Sequence, residues 1–287
     1  MQIMKFATND DRTPHVGVVH GDELVAVGRG ETMLTELLHS NDPFATIRGL
    51  LANSTRSFPI QSIRVLAPLD EQEVWGAGVT YERSKVAREL ESDQAASFYD
   101  LVYRADRPEL FFKATPSRVV GPDQPIRVRR DSSWCVPEPE LALVLSPALH
   151  LVGFTAGNDM SARDIEGENP LYLPQAKVYD SCCALGPSIT LAEAMPPRSS
   201  IGIRMEIERD GAKVYEGETS VARMARRFEA LIDWLGRENR FPSGVILLTG
   251  TGIVPPDDFS LRAGDIVRIT IDGIGTLANR VIQDALA

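Results

Sequence analysis

Val136-Pro137-Glu138-Pro139-Glu140-Leu141-Ala142-Leu143-Val144-Leu145 is the stretch whose reading decides the fold. A short aliphatic run behind two prolines predicts a buried strand. Side chains alternate along a strand, so Glu138 and Glu140 point the same way at the mouth of an apolar segment. Two carboxylates held side by side repel, and one surrenders its charge unless a cation lies between them. A lone Glu-x-Glu is more often a solvated face than a metal site. Two downstream segments shift that balance.

An apolar run from Leu151 to Phe154 leads into Gly157-Asn158-Asp159-Met160-Ser161-Ala162-Arg163-Asp164. This places Asp159 where a strand gives way to a helix, a position that delivers a third carboxylate. Lys177 comes next in Leu173-Pro174-Gln175-Ala176-Lys177, ahead of Ser181-Cys182-Cys183. Three carboxylates without an imidazole form an all-oxygen set, suited to Mg²⁺, Mn²⁺ or Ca²⁺ and not to zinc.

A chain of 287 residues has room for one large domain, or one with a smaller companion. Its hydrophobic content of 43% and charged content of 24% are ordinary for a globular protein. A net charge of −10 argues against nucleic acid or an anionic membrane as partner, and the basic clusters at 127–130 and 223–227 are short. No apolar run approaches a bilayer span and the N-terminus lacks an apolar leader core, so the expected address is cytoplasmic. Cys135, Cys182 and Cys183 lack metal-knuckle spacing and read as reduced, buried thiols.

Residues 1–68 read as a small α+β unit. It holds a strand over Met1–Ala7, a hairpin over His15–Val27 turning at Gly21-Asp22, and helical patterns over Thr32–Ser40 and Pro43–Ala52. It groups no acid with a base or nucleophile, so a packing or lid-supporting role is expected, with His15, His20 and His39 as ordinary residues. Residues 69–287 form the main domain. Val74–Tyr81 reads as a strand entering a turn, and its Gly76-Ala77-Gly78 lacks the third glycine of a dinucleotide loop. Next come a charged amphipathic helix over Ser84–Ser92, a turn over Phe98–Tyr103 and a strand over Leu110–Lys113. Ser220–Asn239 carries Val221, Met224, Phe228, Leu231, Ile232 and Leu235 at helical spacing, as core or subunit contact. Strands over Val245–Leu248 and Ile266–Ile271, then a turn at Asp272-Gly273 and a return to Val281, complete the chain.

In order, Glu138-x-Glu140, Gly157-Asn158-Asp159-x-Ser161-x-Arg163-Asp164, Lys177 and Thr249-Gly250-Thr251 resemble the fumarylacetoacetate hydrolase superfamily, over roughly Val74 to Val281. The resemblance implies an α+β, mostly β fold: a mixed β-roll catalytic domain beside a small N-terminal α+β domain. It also implies a homodimer and a divalent metal, Mg²⁺ (or Mn²⁺ or Ca²⁺), held by Glu138, Glu140 and Asp159. The family's lysine falls on Lys177 and its substrate-contacting threonine on Thr251.

Members of this superfamily cleave carbon–carbon bonds, decarboxylate or isomerise oxo acids, or dehydrate sugar acids, so the family leaves the reaction open. The hydrolases and decarboxylases carry a histidine–glutamate pair on a short helix, here Tyr81–Ala87. Those positions hold Ser84 and Ala87, and none of the four histidines lies in a motif, which counts against a histidine-activated water. Ile165–Lys177 together with Arg107–Lys113 resembles the branch containing 2-keto-3-deoxy-D-arabinonate dehydratase. That branch implies a metal-bound small 2-oxo acid, with Glu109 and Lys177 as catalytic groups. The expected reaction is loss of water from a 2-keto-3-deoxy sugar acid, by removal of a C3 proton and departure of the C4 hydroxyl.

Each role has a plainer reading beside it. Glu109 is otherwise a surface acid before a strand, and Lys177 otherwise a partner of Asp159 or Asp164. Arg163 is a clamp on the Asp159 loop or a substrate contact, and Arg83, Lys113 and Thr251 are further candidate substrate contacts. Cys182 and Cys183 are packing residues. Two other functions stay open: a C–C hydrolase of acylpyruvates, and an inactive metal-stabilised scaffold. The missing His–Glu pair opposes the first. The intact set Glu109, Glu138, Glu140, Asp159 and Lys177 opposes the second.

Overall fold

A computed structural model describes residues 1–28, 33–81 and 101–283. The expected helix over Ser84–Ser92, the first half of the Phe98–Tyr103 turn (98–100), and positions Arg83, Ser84 and Ala87 lie outside the described residues.

The strand Pro139–Leu145 is buried at every position. It pairs antiparallel with Leu151–Asp159 on one side and Val245–Leu248 on the other. Sheet on both flanks and packing on both faces explain why the run is continuously apolar instead of alternating. Leu141, Leu143 and Leu145 point into the larger core, where they join Ile203, Met205, Ile207, Val267, Ile269 and Ile271 of a second, five-stranded sheet. That second sheet runs in the order Ala212–Ser220, Gly202–Arg209, Ile266–Ile271, Gly275–Ile282, Ile126–Arg127. Two sheets wrapped over one core make the roll.

Ala142 and Val144 point to the other face, into a core shared with Leu34, Leu37, Leu38 and Ile47. These come from the helices Leu34–Leu38 and Pro43–Leu51 of the N-terminal segment. The second helix starts where expected: Asp42 accepts from Ala45 N at 2.8 Å, with proline at the first helical position. The segment's first strand, Gln2–Thr8, pairs with Cys183–Leu191, so its hairpin strands His15–His20 and Glu23–Ala26 extend the large sheet. At the opposite end of that sheet, Glu73–Gly78 lies parallel to Val245–Leu248 and antiparallel to Glu109–Ala114.

One element is shorter than the sequence suggests. Within Ser220–Asn239 the α-helix spans Phe228–Gly236 only, after a 3-10 turn at Val221–Arg223. Ala225 N donates to Thr80 O (2.8 Å) and Met224 bridges Tyr81, so these residues are committed to tertiary partners and not to a helical ladder. The apolar stripe is core: Val221, Met224, Phe228, Leu231 and Leu235 are all buried in the roll.

Candidate metal centre and active site

Strand alternation carries Glu140 to the face shared with Ala142 and Val144. Glu138 stands just before the strand, and Asp159 closes the strand Leu151–Asp159 beside it, with Asp159 N donating to Glu138 O at 2.9 Å. The three carboxylates meet: one oxygen from each lies within 4.8 Å of the others, and all three residues are buried. They wall a cavity of about 10 Å³ together with Ala77, Gly78, Val79, Phe111, Gly250 and Thr251. That is the space of one water molecule or one small ion.

Three buried cations surround the carboxylates. Arg163 opens the helix Arg163–Glu168 and places Nη2 2.6 Å from Glu138 Oε1. Lys177, at the end of the helix Leu173–Lys177, donates to Glu138 Oε2 (2.7 Å), Asp159 Oδ2 (3.1 Å) and Ser161 Oγ (2.5 Å). Lys113 lies 2.6 Å from Asp159 Oδ1 and donates to the carbonyls of Met160 (2.8 Å) and Lys177 (2.6 Å). Buried charges persist only when paired in this way.

Glu140 differs from its two neighbours. Its hydrogen bond comes from the backbone N–H of Gly250, at 2.5 Å. Gly250 has φ of +91°, and a Cβ there would fall 2.0 Å from Thr80 Oγ1, so only glycine offers its N–H in this place. Burial, then the charges of Asp159 and Glu138, push the Glu140 carboxyl well above the usual carboxylate range. A hard divalent cation among the three oxygens would offset that repulsion. The donor set and cavity size therefore fit Mg²⁺, Mn²⁺ or Ca²⁺, with Glu138, Glu140 and Asp159 as the residues that would hold it.

Glu109 begins the strand Glu109–Ala114, on which Glu109 and Phe111 share a face. Gly78 pairs with Glu109 and Gly76 with Phe111. A Cβ on Gly78 would stand 2.0 Å from Glu109 Oε2, and one on Gly76 2.5 Å from the Phe111 ring. The Gly-x-Gly is there for space: it admits an acid and an aromatic ring across the ladder. Phe111 lines the cavity, and Lys177 Nζ lies 5.5 Å from its ring centroid.

The remaining candidates divide. Thr251 lines the cavity, while its hydroxyl donates to Ile253 O at 3.2 Å. Asp164 is not a partner of Lys177, because its oxygens are taken by Ser132 and Ser133. Cys182 and Cys183 are free, fully buried thiols as anticipated. Sequence reasoning missed Ser161, which accepts from Lys177 and in turn donates to Asp159 O (3.1 Å). It also missed Gly76 and Gly78, whose two-residue spacing matches that of Glu109 and Phe111.

Residues 73–282 match the family described as fumarylacetoacetate (FAA) hydrolase, C-terminal. The chain belongs to this family. It is 52% identical over 214 residues to a Haloferax volcanii protein named probable 2-keto-3-deoxyxylonate dehydratase, covering 75% of this chain and 73% of the relative. It is 47% identical over 232 residues to 2-dehydro-3-deoxy-D-arabinonate dehydratase of Saccharolobus solfataricus, covering 79% and 77%. A solved structure of 2-keto-3-deoxy-D-arabinonate dehydratase with magnesium and 2,5-dioxopentanoate aligns with a TM-score of 0.87 at 35% identity, over 100% of both chains. The α+β, mostly β roll expected from the sequence is the fold observed. No helix among the described residues is long and apolar enough to cross a membrane.

Proposed function

We propose that this chain is a divalent-metal-dependent dehydratase that removes water from a 2-keto-3-deoxy sugar acid, giving 2,5-dioxopentanoate from a pentonate. The observation that carries this reading is a single cavity walled by Glu138, Glu140 and Asp159 and by Gly78, over which Glu109 rests. The two archaeal relatives, and the magnesium and 2,5-dioxopentanoate in the solved neighbour, support it.

Glu138, Glu140 and Asp159 would hold Mg²⁺, which when bound would supply a Lewis acid able to acidify the C3 proton of a 2-oxo acid. The chain supplies proton transfer and orientation. Glu109 is the acid–base group: it takes a proton at C3 and returns it to the departing C4 hydroxyl as water, leaving a 5-hydroxy-2-oxo-3-ene acid. That acid becomes 2,5-dioxopentanoate by losing protons from C5 and its hydroxyl and gaining protons at C3 and C4. Lys177 is held as an ammonium by its three acceptors, so it serves as fixed positive charge beside the growing negative charge and not as the base. Arg163 orients Glu138. Thr251, in the cavity wall, is a proposed substrate contact, and Arg83, outside the described residues, is proposed as another.

Residues 1–68 form the small N-terminal unit in this reading, and support the catalytic sheet through the core they share with Ala142 and Val144. A homodimer in the cytoplasm, taking no nucleic acid, completes the proposal. It rests on the family resemblance and on the net charge of −10. Light scattering at the 31.5 kDa monomer mass would contradict the dimer. The chemistry is tested by incubating enzyme, Mg²⁺ and a 2-keto-3-deoxy-pentonate in D₂O. Deuterium at C3 of recovered substrate or product is expected, and its absence during turnover would rule out proton removal there.

A further inference from the structure

We propose that Lys113 is a positioning residue that locks Asp159 and Lys177 to one another, and that it does not touch substrate. This rests on the metal-centre reading of Asp159, and extends it to a residue outside the cavity wall.

Lys113 is fully buried. Its ammonium donates to two carbonyls, Met160 O at 2.8 Å and Lys177 O at 2.6 Å, and forms an ion pair with Asp159 Oδ1 at 2.6 Å. Lys113 is not among the residues that wall the cavity, so it does not face the substrate space. Each acceptor belongs to a place the fold cannot satisfy by itself. Met160 lies between the strand Leu151–Asp159 and the two-residue strand Ser161–Ala162. Lys177 ends a five-residue helix, whose last carbonyls have no intrahelical partner. A cation at that end also meets the negative pole of the helix.

One side chain thus ties a candidate metal ligand, the loop beside it, and the backbone of the residue whose ammonium binds that ligand's other oxygen. Lys113 also lies on the same strand as Glu109, four residues away, so one strand carries the acid–base group and the post that fixes the opposite wall. Groups that orient metal ligands from behind typically carry about 10- to 100-fold in metal affinity or activity.

The test compares wild type with Lys113→Met, which keeps length and removes every donor. Circular dichroism and a cooperative melt establish folding, and Mn²⁺ EPR reads the geometry of the metal centre without turnover. The expected result is bound Mn²⁺ with an altered spectrum and a kcat lowered about 10- to 100-fold at saturating metal, with a smaller change in KM. An unaltered spectrum and kcat would overturn the proposal, and a rise in KM alone would return Lys113 to substrate binding. If wild type binds no Mn²⁺, the metal-centre reading fails instead. If Lys113→Met does not fold, ¹⁵N-lysine NMR of wild type decides: the proposal expects a slowly exchanging Lys113 ammonium that shifts when Mg²⁺ is added. An unshifted signal would overturn it.

Discussion

Glu109 rests over the backbone of Gly78, with its Oε2 2.0 Å from where a Cβ would stand. Gly78→Ala should therefore displace the carboxylate while leaving Glu138, Glu140 and Asp159 in place. The clash is with the free end of a flexible side chain, so the fold survives. Misplacing a catalytic group by an ångström costs roughly 10²-fold in rate. Steady-state kinetics with Mg²⁺ calorimetry checks this: kcat falls by about that factor and Mg²⁺ affinity holds.

Glu109→Gln separates binding from chemistry. The metal and its ligands hold the ground state, whereas the acid–base group acts in the transition state. General acid–base groups contribute roughly 10²- to 10⁴-fold, so kcat should fall by that much while Mg²⁺ and 2-oxo acid binding persist. A parallel loss of binding would move Glu109 into the substrate site.

Metal removal should act on stability as well as on rate. EDTA should abolish turnover and lower the melting temperature, and Mg²⁺ at a hundredfold excess over its Kd should restore about 2.7 kcal/mol. Glu140→Gln should blunt this shift, because it removes one of the three oxygens' charges. Full activity in EDTA would contradict the metal centre.

The acid limb of stability should report Asp70. Burial raises its carboxyl, but hydrogen bonds from Lys5 and from Thr35 outweigh burial and hold it below its ordinary value of 3.8. A depressed pKa adds stability that is present above 3.8 and lost as pH falls below it. Asp70→Asn should cost about 1–3 kcal/mol near neutrality. Wild type and variant should converge under acid denaturation; a constant difference down to about pH 2 would contradict the assignment.

The acid triad was legible because alternation is a local rule: Glu138-x-Glu140 before an apolar run puts two carboxylates on one face. Residues 139–145 read as a buried strand because sheet and packing on both sides demand an unbroken apolar run. Gly76 and Gly78 were not legible, since their reason lies across the ladder at Phe111 and Glu109, far along the chain. Lys113 and Arg163 could be read only as candidate contacts, for substrate or (Arg163) for the Asp159 loop, because sequence shows charge and not who neutralises it. Their ion-pair partners, Asp159 and Glu138, arrive only with tertiary closure. The Ser220–Asn239 helix was overread because periodicity cannot report that Met224 and Ala225 are committed to Tyr81 and Thr80.

The central claim is the reaction itself. Purified enzyme with Mg²⁺ is given 2-keto-3-deoxy-pentonates and, separately, acylpyruvates, and the products are read by NMR. The account predicts 2,5-dioxopentanoate from a 2-keto-3-deoxy-pentonate and no cleavage of acylpyruvates. Release of pyruvate from acylpyruvates, with every 2-keto-3-deoxy sugar acid left untouched, would contradict it.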